Sequence, residues 1–124
     1  YNVEGPVDRA HPDRDTALYN SVMAAYAKDL NPIGAATVAA RSLVDLYAVL
    51  RKVGVAQLTS AEVSATLRKA IDVPSFMGHP YTCDGKQLAG LPATCAPQQI
   101  LVRMDHGELR QVGDWIDVGA AYPG

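Results

Sequence analysis

HPYTCDGKQLAGLPATC, His79–Cys95, holds both cysteines of the chain. Pro80, Gly85, Gly90 and Pro92 interrupt it, so neither a helix nor a strand runs through it. What its two thiols do decides what organises the fold around them. A zinc site takes four ligands. Cys83, Cys95 and His79 supply three and His106 a fourth, but the thiols are not a CxxC pair and no second pair exists. A redox pair also needs CxxC, near a helix start. A catalytic thiol needs a base beside it, and His79 and His106 are bases in name only. Two cysteines bracketing a Pro/Gly loop fit a disulfide. It closes a small loop and removes about 2–4 kcal/mol of unfolded-state freedom. It also implies an oxidising, extracytoplasmic location.

On the N-terminal side the pattern is helical. "YNVEGPVDRAHP", residues 1–12, lacks periodicity and reads as a strand stub and crossover loop. A helix is expected from about Asp13 to just before Pro32. Leu18, Val22, Tyr26 and Leu30 form its apolar stripe, and Asp13 and Asp15 suit its first turn. A second helix is expected over Ile33–Val53, with Gly54 as its cap. Its apolar face is Ala36, Ala39, Ala40, Leu43, Leu46, Tyr47 and Leu50, and its first half is built of small residues. Thr59 with Glu62 three residues on is a capping box and opens a third helix. That helix buries Val63, Leu67, Ala70 and Ile71 and ends at Pro74.

On the C-terminal side the period changes to two. In "QQILVRMDHGELRQVGDWI", Gln98–Ile116, the residues Ile100, Val102 and Met104 share a face. Asp105-His106-Gly107 turns the chain, with Gly107 free to take positive φ. The reading is α+β: a three-helix segment (13–74), a stapled loop (75–97), then a β-hairpin and tail (98–124).

The totals agree with one domain: 124 residues, 48% apolar, net charge −2. No basic cluster serves nucleic acid or an anionic membrane. No apolar run approaches the roughly 20 residues that span a bilayer. The chain begins at Tyr1, so a matured product or a piece of something longer is expected. Gly-rich phosphate loops, GxSxG and HExxH are absent. No catalytic residue, metal or cofactor is expected. Trp115 reads as a packing residue, with ligand stacking as the alternative, and the three histidines read as solvated loop positions.

The order of these pieces resembles the C-terminal third of type I periplasmic solute-binding proteins, the ABC-importer receptors of the branched-chain amino-acid-binding family. "DTALYNSVMAAYAKDLNP" is similar to that family's aromatic-bearing helix with a proline-bearing segment after it. "GAATVAARSLVDLYAVLRKVG" and "LTSAEVSATLRKAI" are similar to its next two helices. "FMGHPYTCDGKQLAG" resembles its Gly-rich turn, and "QQILVRMDHGELRQV" its closing hairpin. The likeness covers nearly all of the chain, and its specificity lies in order and spacing. The cysteine pair departs from the family's best-known members and looks like a stapled variant of the turn.

The resemblance implies a fragment of a two-lobed α/β fold in which solute binds between the lobes. It implies a non-enzymatic receptor for an amino acid or related small molecule, a membrane permease as partner, and a periplasmic or cell-surface location, with a lipid anchor on the full-length protein. The family places an aromatic residue against the ligand near the start of the Ala-rich helix. The matching position here is Val38, with Thr37 its polar neighbour. That departure puts the usual amino-acid pocket in doubt. Helices that normally cover a sheet are expected to self-associate through Leu43, Leu46 and Leu50 when the sheet is missing. The alternative is a small secreted α+β interaction domain, complete as it stands.

Overall fold

The computed structural model describes residues 2–3 and 12–121. Apart from residues 2–3, the crossover expected at 1–12 lies outside the described residues up to Pro12, as does His11. The order is β1 (Asn2–Val3), α1 (Arg14–Tyr26), α2 (Ala35–Val53), a 3-10 turn (Val55–Gln57), α3 (Ser60–Arg68), β2 (Gln98–Asp105), β3 (Glu108–Asp117) and α4 (Val118–Ala121). The class is α+β. The three expected helices and the hairpin are present, joined by a short fourth helix that the sequence reading did not anticipate.

Caps set the helix ends. The Asp13 carboxylate accepts from the Thr16 N–H at 2.7 Å and opens α1. This helix stops at Tyr26, a turn earlier than expected. The Gly54 N–H bonds the Leu50 carbonyl at 3.1 Å with φ +81°, closing α2 as expected. Thr59 Oγ1 accepts from the Glu62 N–H at 3.2 Å, which is half of the expected capping box. Lys69 ends α3, well before Pro74.

β2 is the central strand, with β1 and β3 antiparallel on either side. Asp105 pairs with Glu108 across a two-residue turn. His106 (φ +49°) and Gly107 (φ +86°) are both left-handed, which is the backbone a type I′ turn demands. The ladder slips further along. Gln99 faces Ile116 and Leu101 faces Val112, so Ile100 alone stands opposite Gly113–Trp115. Gly113 takes φ +77° inside this bulge.

The buried apolar side chains among the described residues are Tyr19, Val49, Ala70, Met77, Ile100 and Val102. Two expected stripes are corrected here, and two other expected faces each lose one residue. Leu18, Val22, Tyr26 and Leu30 are exposed, Tyr26 at 88%. Leu43 (68%), Leu46 and Tyr47 are exposed as well, with Leu50 half-buried. Ile71 (73%) and Met104 also face out.

The reason is the polar 72–83 loop, whose backbone needs partners. α1 turns Asp15, Thr16 and Tyr19 inward. Asp15 accepts from the Met77 N–H at 3.3 Å, and the Tyr19 hydroxyl donates to the Pro32 carbonyl at 2.8 Å. α2 turns Arg41, Asp45 and Val49 inward, one turn apart each. The inward faces carry the loop's hydrogen-bond acceptors, Asp15 and Asp45, beside buried Thr16, Tyr19 and Val49; the Thr16 hydroxyl is buried without a hydrogen-bond partner among the described residues.

Cys83 and Cys95 form a disulfide with Cα atoms 4.5 Å apart. Its base is tied by Cys83 N–H to the Ala70 carbonyl and Thr82 N–H to the Cys95 carbonyl, both 2.9 Å. Val73 and Tyr81 exchange two backbone bonds and cinch residues 74–80 into a loop. Within the staple, Asp84 accepts from the Gln87 side chain at 3.0 Å and the Lys86 N–H at 2.9 Å. Those bonds hold its carboxyl below the usual range. Gly119 of α4 sits against the Gln87 carbonyl with no room for a Cβ, so α4 closes over the stapled loop.

Candidate ligand cleft

A cleft of about 230 Å³ opens where α2, the 72–83 loop and the hairpin meet. α2 contributes Arg41 and Asp45, the loop Ser75, His79 and Tyr81, and the hairpin side Gln98, Gln99 and Trp115.

Asp45 organises it. One carboxylate oxygen accepts from the Phe76 N–H at 2.8 Å and the other from the Ser75 hydroxyl. These two bonds fasten the loop to the helix. Gly78 lies so close to Arg41 and Ser75 that an added Cβ would fall 3.0 Å from Arg41 Cδ. The guanidinium stem is therefore packed against the loop backbone. Asp45 also acts on Tyr81. Burial first, and then the Asp45 negative charge, push the phenol pKa upward. The Tyr81 hydroxyl stays protonated at any ordinary pH and is both donor and acceptor.

The opposite wall is aromatic. His79 and Trp115 meet edge to face, centroids 5.4 Å apart and planes at 73°. His79 Nδ1 lies 2.8 Å from the Pro80 carbonyl. A carbonyl only accepts, so Nδ1 carries the proton and Nε2 is left as an acceptor in the neutral ring. Trp115 is here because of the bulge. Gly113 takes the chain out of the β2–β3 ladder, and Trp115 is left unpaired beside the loop.

The expected ligand residues fall elsewhere. The Thr37 hydroxyl donates to the Gly34 carbonyl at 2.7 Å, closing its own helical turn. Val38 is exposed, and neither residue lines the cleft. His79, read as a solvated loop residue, instead forms a wall, and so does Trp115. One sequence signal marks the polar wall. Between Asp29 and Arg51 the only charged residues are Arg41 and Asp45, one helical turn apart. An isolated ion-forming pair inside an apolar helix marks the face that meets polar backbone.

The Ser75 hydroxyl donates directly to the Asp45 carboxylate. Among the described residues no three His, Cys, Asp or Glu side chains gather as a metal site. No helix among them is long and apolar enough to cross a membrane. Comparison with family models, curated proteins and solved structures finds no match.

Proposed function

We propose that this chain is part of an extracytoplasmic solute receptor of the ABC-importer type. In this reading it binds a small molecule without transforming it and presents it to a membrane permease. The observation that carries the reading is the cleft between α2 and the hairpin, with a polar wall around Asp45 and an aromatic wall of His79 and Trp115. Cleft closure around the solute would bias an open–closed equilibrium, as differential affinity for two states requires. The disulfide supports an oxidising compartment.

The outward apolar faces of α1 and α2 support the two-lobed architecture that the resemblance implies. In a receptor of that kind they would cover sheet strands of the first lobe. In isolation we expect them to pair copies of the chain.

Equilibrium dialysis tests the binding role. The purified protein is dialysed against a mixture of the twenty amino acids and common monosaccharides. Mass spectrometry then identifies what is held. The expected result is one solute retained near 1:1, with retention lost in Trp115→Ala. Failure to retain any of them overturns the proposal.

A further inference from the structure

We infer that the cleft takes a neutral, polyhydroxylated ring the size of a monosaccharide. The inference rests on reading the cleft as the ligand site, and it departs from the amino-acid solute that the resemblance implies.

Charge is the first argument. Arg41 and Asp45 are the two fixed charges on the walls, and they are opposite. Both Asp45 oxygens already accept hydrogen bonds, from Ser75 and from the backbone at Phe76. Arg41 is itself engaged. An amino acid needs a carboxylate given over to its ammonium group, and a phosphate needs a surplus of positive charge. No surplus of positive charge is offered, and Asp45 is held by the loop at both oxygens. The walls add three uncharged groups: the Tyr81 hydroxyl, the Gln98 amide and His79 Nε2. Each matches a hydroxyl, which both donates and accepts.

Shape is the second argument. The rings of His79 and Trp115 stand nearly at right angles and form a corner. A sugar or cyclic polyol has a flat C–H face and a rim of hydroxyls. Its apolar face rests on one ring while the rim reaches the polar wall. A volume near 230 Å³ lies below the ~300 Å³ lower end of pockets for drug-sized molecules, so one ring fills it.

Trp115 is the only tryptophan, so the emission of the protein reports the cleft directly. Two sets of probes are titrated separately: D-glucose, D-galactose, D-ribose and myo-inositol, then L-leucine, L-glutamate and glycine. The expected result is a saturable shift with at least one polyol and none with the amino acids. His79→Ala, which keeps the reporter, should weaken that polyol at least tenfold, with its circular dichroism spectrum showing the fold intact. Calorimetry on Trp115→Ala should show no heat of binding. Saturation by an amino acid alone overturns the ligand class and leaves the cleft as the binding site. Silence from both sets overturns the cleft reading and the inference with it.

Discussion

Replacing Asp45 tests the central structural argument, because one side chain joins helix to loop and also shapes the cleft. Asp45→Ala leaves the Phe76 N–H and the Ser75 hydroxyl without their acceptor. Hydrogen bonds to a charged group contribute about 1.5–3 kcal/mol each. The site is half-buried and water recovers part of that, so the expected loss is about 3 kcal/mol. Asp45→Asn should behave differently. Its single carbonyl oxygen can keep the Phe76 N–H, while its NH₂ donates to the Ser75 oxygen once that hydroxyl rotates. Its cost should be about 1 kcal/mol. At about 4 °C per kcal/mol for a domain of this length, Tm falls by about 12 °C for Ala and about 4 °C for Asn. Urea unfolding followed by Trp115 emission and by far-ultraviolet circular dichroism measures both. If Asn costs as much as Ala, the negative charge and not the acceptor geometry carries the effect. If Ala costs under about 1 kcal/mol, the tie between helix and loop does not hold the fold.

Three further outcomes follow from the same contacts. The disulfide spans a sequence separation of 12, for which chain entropy gives about 3 kcal/mol. The Cys83→Ala/Cys95→Ala protein should therefore melt about 12 °C lower, and equal melting temperatures would sink the staple as a stabiliser. Tyr81 has a raised folded pKa, so its contribution to stability is intact below the unfolded value near 10 and fades as pH rises through the folded value. Spectrophotometric titration of Tyr81→Phe should lack one phenol that titrates above the ordinary tyrosine value, and an unchanged titration curve would refute the assignment. Light scattering at high concentration should show self-association of the isolated chain, reduced in Leu43→Glu/Leu46→Glu; a clean monomer before mutation would refute pairing through α2.

Local chemistry was legible in the sequence wherever a residue acts on its own neighbourhood. Gly54 and Thr59 announce helix ends because a cap needs only local partners, while Asp13, read as a first-turn charge, is the cap itself. His106-Gly107 announces the hairpin, and the cysteine spacing announces the staple. Face selection was not legible. Periodicity locates the leucines of α2 on one side, yet it is silent about the loop amides that draw Asp45 inward. Ladder slippage was hidden too, since Gly113 reads like any glycine until its opposite number, Ile100, is known. The candidate site suffered most, because it is assembled from three distant stretches. Thr37 and Val38 came from a family pattern. His79 and Trp115 came to light only when the bulge and the cinched loop met.

The central strand also has a temporal meaning. Each helix closes from contacts a few residues apart, and the hairpin from a two-residue turn. The third strand is different, since Asn2 pairs with Leu101 and Val3 with Ile100. Residues 2–3 can pair only when the long stretch holding the helices and the stapled loop closes back onto β2. Contacts this distant in sequence are paid for in loop-closure entropy before they return anything. The hairpin therefore matures with one edge open, and an open edge accepts any passing strand. Until residues 2–3 dock, β2 presents an unpaired edge.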